Sequence, residues 1–212
     1  MRFYPISLNL QGRKGVVIGG GAIAEGKVQG LLEAEANLTV ISPELTRRLK
    51  ALAAEGKIAH INRTYQPGDL AGAFLAISAT DDRAVNEQVC WEAAERDVLI
   101  NVVDDPSHCT FIAPSIVRKG DLTIAISTGG KAPALAVRLG EWLEQMVGQE
   151  HARFLELAGA LRGPLAARYP DFEQRKALWY DLVDSGVLDL LRRGEEDEAR
   201  QRITEIIGFA PE

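Results

Sequence analysis

Cysteine is scarce in this chain: among 212 residues only Cys90 and Cys109 carry thiols, and no Cys-x-x-Cys pair occurs. A disulfide framework is thereby excluded, and a reducing cytoplasm is the expected setting. Histidine is sparse as well. His108-Cys109 has no second ligand pair at metal-binding spacing, and His60 and His151 are isolated, so no protein metal site is expected. A basic excess is also lacking, with 24 Lys and Arg against 30 Asp and Glu for a net charge of -6. Nucleic acid, whose phosphates demand clustered Lys and Arg, is therefore not an expected partner. Most of the negative balance lies in residues 171–212, which hold eleven acids and six bases. No apolar run approaches the ~18 residues that span a membrane. The opening Met-Arg-Phe-Tyr-Pro-Ile-Ser lacks the apolar core of a signal peptide, so a soluble chain without a leader is expected.

What the chain does have is hydrophobic content of 46%, enough for one good core and a smaller appended unit. Short runs rich in Val, Ile and Leu at 15–19, 37–41, 57–61, 73–78 and 98–102 read as strands. Helical patterns at 22–34, 44–55 and 83–96 alternate with them, the last opened by Asp81-Asp82, a pair suited to an N-cap. This alternation predicts an α/β fold with a parallel sheet covered on both faces. The pattern then changes. Segments 111–118 and 121–127 flank Lys119-Gly120 as a two-strand hairpin, and a helix follows from Ala132 or Pro133 to about Val147. From His151 onward the chain reads as helices broken at Gly163-Pro164, Tyr169-Pro170, Ser185-Gly186 and Gly194. Trp142, Met146, Phe154 and Leu157, at helical spacing, are read as core. The expected organisation is an α/β domain (1–113), a hairpin-plus-helix segment (114–148) and a small helical domain (149–212).

Gly19-Gly20-Gly21-Ala22-Ile23-Ala24 follows the first strand, opens the first helix and fits G-x-G-x-x-[G/A]. Gly19 permits a tight turn, Gly21 lets the backbone approach a phosphate, and Ala24 lets the helix sit close to the strand. The helix start, with Ala22 and Ile23, would direct amides and dipole at a pyrophosphate. Residues 1–113 therefore read as a Rossmann-like dinucleotide-binding domain. The acid usual on the ribose about 20 residues on is missing: Ser42 stands there, followed by Pro43 and Glu44, with Arg47 and Arg48 close behind. From these residues alone, NAD and NADP both stay open. Thr80, at the end of the fourth strand, and Asp104-Asp105, just past the fifth, should border the cofactor. Asp81-Asp82 reads first as a helix cap. Asp104-Asp105-Pro106 is either a turn device or an acid placed to exchange a proton beside a nicotinamide. Ser127, Thr128, Gly129, Gly130 and Lys131 precede a helix start and can form an anion pocket, to which Arg118, Lys119 and Arg138 would add charge if they face it.

Taken in order, several short phrases resemble the precorrin-2 dehydrogenase and siroheme synthase family. They are Gly19–Ala24 with Lys27, Leu31-Leu-Glu-Ala34, Ala79-Thr-Asp-Asp82, Asn101-Val-Val-Asp104, Pro114-Ser-Ile116, and Ser127-Thr-Gly-Gly130 with Pro133. The resemblance covers residues 1–150 in one register and matches the N-terminal half of the fused bacterial enzyme; with 212 residues, the methyltransferase half is not expected here. It implies NAD-dependent dehydrogenation of precorrin-2 to sirohydrochlorin, on the way to siroheme and in some organisms cobalamin. It also implies a homodimer in which 114–148 serves as a dimerisation segment. By the resemblance, the functional aspartate is Asp104, the ribose contact falls on Pro43-Glu44, which favours NAD, and Ser127, Gly130 and Lys131 bind substrate. A regulatory phosphoserine of some fused relatives falls on Thr128. Some relatives also insert iron into the product, and these residues do not separate the two types. A dinucleotide-sensing regulatory domain is the rival reading; it would need neither the Asp104 turn nor the 127–130 turn.

Overall fold

The computed structural model describes residues 3–210, and the chain divides between Ala113 and Pro114 into two compact units. In the first unit the apolar runs become five parallel strands: β1 (Lys14–Ile18), β2 (Asn37–Ile41), β3 (Ala59–Ile61), β4 (Leu75–Ser78) and β5 (Leu99–Val102). They lie in the order β3-β2-β1-β4-β5. The helices between them are α1 (Ala22–Glu33), α2 (Arg47–Ala54) and α3 (Arg83–Glu95).

Side chains that alternate along each strand divide the core into two layers. Val17, Leu38, Val40, Leu75 and Ile77 pack with Ala24 and Val28 of α1 and Leu49 of α2. Val16, Ile18, Ile41, Ala76, Ile100 and Val102 pack with Val89 and Ala93 of α3. A sheet covered on both faces must be apolar on both, which is why these strands read as nearly continuous hydrophobic runs. From β1 the chain winds outward through β2 and β3, then crosses back to β4 on the other side of β1. That reversal opens a crevice at the carboxyl ends of β1 and β4, the place where open α/β sheets bind ligands.

One polar group is built into this core. Glu92 of α3 is buried and accepts from the Tyr65 hydroxyl, the Gly68 amide (2.9 Å) and the Arg96 guanidinium (2.7 Å). Burial pushes its carboxyl up, but these hydrogen bonds outweigh burial and hold it below the usual range.

The second unit begins with the antiparallel hairpin β6 (Ser115–Lys119) and β7 (Leu122–Ile126), turned at Gly120-Asp121. Helices α4 (Pro133–Met146), α5 (Gln149–Arg168), α6 (Phe172–Asp184), α7 (Val187–Arg192) and α8 (Glu196–Ile207) follow. Leu157, Leu161, Leu165, Leu182, Val187, Ile203 and Ile207 form its core.

Three expectations are corrected here. The second helix starts at Arg47 rather than at residue 44, because Thr46 caps it: its hydroxyl oxygen accepts from the Leu49 amide at 3.2 Å. No break occurs at Gly163-Pro164; α5 runs through Pro164. The ring is exposed while Leu161 and Leu165 on either side are buried. Burial worth about 1.5–3 kcal/mol for each large side chain outweighs the ~3 kcal/mol that an interior proline costs. Trp142 and Met146 are not core: they are 56% and 55% exposed on α4, and only Leu157 and Phe154 of that set pack inward. The β6-β7 hairpin packs against one face of α4, and Leu135, Val137, Leu139, Trp142 and Met146 are left exposed on the rest of it.

Candidate functional site

At the end of β1 three glycines do three different things. Gly19 has φ 105, its amide donates to the Ile41 carbonyl at 2.9 Å, and a Cβ there would lie 2.2 Å from the Ala79 carbonyl oxygen. A Cβ on Gly20 would lie 2.0 Å from the Glu44 carbonyl oxygen. Both glycines are demanded by the fold itself. Gly21 is not: a Cβ there meets nothing within 4 Å, and φ is -80. It stands at the N-cap of α1 with no side chain to satisfy the first-turn amides, which begin at Ala22 and Ile23. Ile23 is exposed beside them. Bare amides at a helix start, with empty space where a side chain would stand, fit a pyrophosphate that must reach the backbone.

Beyond β2, Ser42 is buried and its hydroxyl donates to the Glu44 carbonyl at 2.7 Å. Its own carbonyl lies 2.9 Å from His60 Nε2. Pro43 and Glu44 are exposed at the turn, so the Glu44 carboxylate, rather than the Ser42 hydroxyl, faces solvent there. Arg48 donates to Gln29 of α1 at 2.9 Å, which draws its guanidinium toward that helix.

Past β4, the Thr80 hydroxyl accepts from the Asp82 amide at 3.2 Å, and its carbonyl accepts from Asn86 at 3.1 Å. Asp82 is the cap of α3, accepting from Ala84 at 2.9 Å and Val85 at 3.2 Å. Asn86 also accepts from the fully buried Ser78 hydroxyl at 2.6 Å. This Ser78-Asn86 brace was not singled out in the sequence, although a serine within an otherwise apolar strand is a signal for it.

The two acids past β5 separate cleanly. Asp105 accepts from Ser107 Oγ at 2.5 Å and pairs with His108 Nδ1 at 2.6 Å, starting a 3-10 turn at Pro106–His108. The Ser107 hydroxyl first, then His108, holds its carboxyl below the usual range. Asp104 is exposed, adopts φ 60, and its side chain makes no hydrogen bond or ion pair among the described residues. A non-glycine residue in the left-handed region is uncommon and strained, a condition often met at functional sites. Glycine turn, Thr80 and Asp104 thus stand at the ends of β1, β4 and β5, three neighbours in the sheet. Strand spacing puts the outer two of these strands roughly 10 Å apart.

In the second unit, Gly129 (φ 63) and Gly130 (φ 78) turn the chain into α4. Ser127 Oγ accepts from the Gly129 amide, and Thr128 Oγ1 from the Ala132 amide, each at 3.2 Å. Ala132, at the N-cap, offers no side-chain cap, and Lys131 is exposed beside it. Two of the bases expected to add charge are spent elsewhere. Lys119 pairs with Glu144 at 2.8 Å and Arg138 with Glu141 at 2.7 Å, both on α4.

Residues 6–115 match a family model described as "Putative NAD(P)-binding". Residues 119–146 match one described as sirohaem biosynthesis protein central, and 151–207 one described as sirohaem synthase dimerisation region. The chain belongs to the precorrin-2 dehydrogenase and siroheme synthase family. The glycine turn of this family member therefore belongs to a module that binds a nicotinamide dinucleotide. Siroheme synthase of Methylobacillus flagellatus is 39% identical over 207 residues, covering 98% of this chain and 44% of that protein. Siroheme synthase 1 of Aeromonas salmonicida is 40% identical over 202 residues, covering 95% and 43%. The chain thus spans less than half the length of these curated relatives. The solved structure of SirC, a precorrin-2 dehydrogenase, superposes with a TM-score of 0.79 at 25% identity, covering 98% of this chain and 100% of that one. The region described as dimerising, 151–207, does not overlap the expected dimerisation segment 114–148.

Proposed function

We propose that this chain is an NAD-dependent precorrin-2 dehydrogenase that forms sirohydrochlorin in siroheme biosynthesis, working in the cytoplasm as a homodimer. The observation that carries this reading is Asp104: of two adjacent acids, it alone is left unpaired and held in a strained conformation, two strands from the glycine turn. Family membership and the likeness to SirC, a precorrin-2 dehydrogenase, support it.

Oxidising precorrin-2 removes a hydride and a proton. When bound, NAD supplies the hydride acceptor and leaves as NADH. Gly21 and the amides of Ala22 and Ile23 hold its pyrophosphate, Thr80 borders it, and the Ser42-Pro43-Glu44 turn receives a ribose. The Asp104 carboxylate accepts the proton released from the macrocycle. Precorrin-2 is a polycarboxylate, and Ser127, Gly130 and Lys131 offer a hydroxyl, a backbone amide and an ammonium for its side chains. Glu44 disfavours a 2′-phosphate by charge, which supports NAD over NADP.

Incubation with fresh precorrin-2 and NAD under anaerobic conditions should yield sirohydrochlorin absorbance and one NADH for each product formed. Binding of NAD without turnover would overturn this reading in favour of a dinucleotide sensor.

A further inference from the structure

We propose that Cys109 is a positioning residue for Asp104: its sulfur clamps the first and last residues of the turn that presents the carboxylate. The inference rests on the dehydrogenase reading above and adds a residue to it.

The Asp105 amide donates to the Val102 carbonyl at 3.3 Å, closing a four-residue turn from Val102 to Asp105. Asp104 is its third residue, at φ 60, where such turns favour glycine or asparagine. Its side chain forms no hydrogen bond that would fix this conformation, so the turn must be held by its neighbours. Cys109, 7% exposed, supplies the hold. Its sulfur accepts from the Val102 amide at 3.1 Å and lies 3.2 Å from the Asp105 carbonyl oxygen and 3.3 Å from that of Val102. A single atom therefore grips the turn on both sides of Asp104.

The surrounding contacts fix where that atom sits. Val103 donates to the Ser78 carbonyl at 2.9 Å, so the outgoing chain is still tied to β4. On the return, the Thr110 hydroxyl accepts from the Ile100 amide at 2.8 Å and the Thr110 amide donates to the Ile100 carbonyl at 2.9 Å. Asn101 donates to the Phe111 carbonyl at 3.1 Å and approaches the Cys109 sulfur at 3.6 Å. Both arms of the excursion are pinned, and the thiol closes it from inside. Burial pushes the thiol up, so it stays protonated at neutral pH and keeps its donor.

The test compares Cys109→Ala and Cys109→Ser in the full chain, each alone and combined with Asp104→Asn, assayed with precorrin-2 and NAD. Amide hydrogen exchange at Asp105 is followed in parallel. Misplacing a reacting group slightly costs about 10–100-fold, so Cys109→Ala should lower kcat by that factor and leave KM for NAD unchanged. Cys109→Ser, which keeps a donor and an acceptor, should recover most of the loss. Added to Asp104→Asn, Cys109→Ala should cost less than about twofold more, because residues acting as one unit are not additive. Exchange at Asp105 should quicken in Cys109→Ala and slow again in Cys109→Ser. Full activity of Cys109→Ala, an additive loss on the Asp104→Asn background, or unchanged Asp105 exchange would each overturn the clamp. Normal turnover by Asp104→Asn alone would instead overturn the assigned proton acceptor, and the exchange rates would then decide the clamp by themselves.

Discussion

Substituting the three glycines one at a time separates what the fold requires from what the cofactor requires. Gly19→Ala forces an L-residue into φ 105 and drives its Cβ to 2.2 Å from the Ala79 carbonyl oxygen. The conformation alone costs about 1–2 kcal/mol, and overpacking against a backbone atom adds about 1–3 kcal/mol. Against the 5–15 kcal/mol that ordinarily stabilises a domain, that is a large share. Gly20→Ala, with its Cβ 2.0 Å from the Glu44 carbonyl oxygen, faces the same overpacking. Gly21→Val meets empty space, and its cost is that of a poor N-cap, about 1 kcal/mol or less. The valine would stand where the pyrophosphate must approach. Each lost hydrogen bond to a charged group is worth about 1.5–3 kcal/mol, so NAD affinity should fall by roughly ten- to a hundredfold or more. Thermal unfolding and calorimetric titration with NAD give both readings for each variant. Gly19→Ala and Gly20→Ala should lose stability, whereas Gly21→Val should lose NAD and keep nearly all of its stability. Unchanged NAD affinity in Gly21→Val, or a fall in Tm as large as that of Gly19→Ala, would refute the division.

Asp104→Asn keeps shape and NAD affinity but should lower kcat by about 10²–10⁴-fold in the sirohydrochlorin assay, whereas Asp105→Asn should change it far less. Ratios of kcat/KM should favour NAD over NADP, and Glu44→Ala should narrow that preference; a wild-type preference for NADP would show that Arg47 and Arg48 prevail. Light scattering at micromolar concentration should report a dimer, and Trp142→Glu should weaken it by about 2 kcal/mol, roughly thirtyfold in Kd; a wild-type monomer would defeat the assembly. Asp69, beside Arg63, and Glu92 sit below their ordinary values, so they contribute stability that is present above about pH 4 and lost as pH falls through their depressed values. Denaturant midpoints taken from pH 6 down to pH 2 should fall in that window, and Glu92→Gln should flatten the fall.

The sheet was legible because burial on both faces writes itself into sequence as unbroken apolar runs, and because glycines mark where β1 must turn. The cap at Asp82 was legible for the same kind of local reason: a carboxylate two residues before an amide that needs an acceptor. Pro164 misled, since the local cost of proline is visible in the sequence and the long-range burial of Leu161 and Leu165 is not. Trp142 misled in the opposite direction. Apolar spacing along a helix shows that a face will be covered, and it does not show whether the cover comes from the same chain. Only the resemblance separates Asp104 from Asp105 in the sequence, because the physical difference is which one Ser107 and His108 engage. Cys109 gave no signal of its own beyond standing eight residues after Asn101, the one polar residue in β5.

The order β3-β2-β1-β4-β5 also sets a timetable for synthesis. The central strand is made first, yet Gly15 pairs on one side with Leu38 and on the other with Leu75. As the chain grows from its N-terminus, Val16, Val17 and Ile18 are translated well before their second neighbour exists, with one strand edge open and apolar. Non-local parallel pairing of this kind is intrinsically slow, and open edges are where nascent chains stick to one another. The strand that ends in the glycine turn is therefore also one whose apolar edge stays open until β4 has been made.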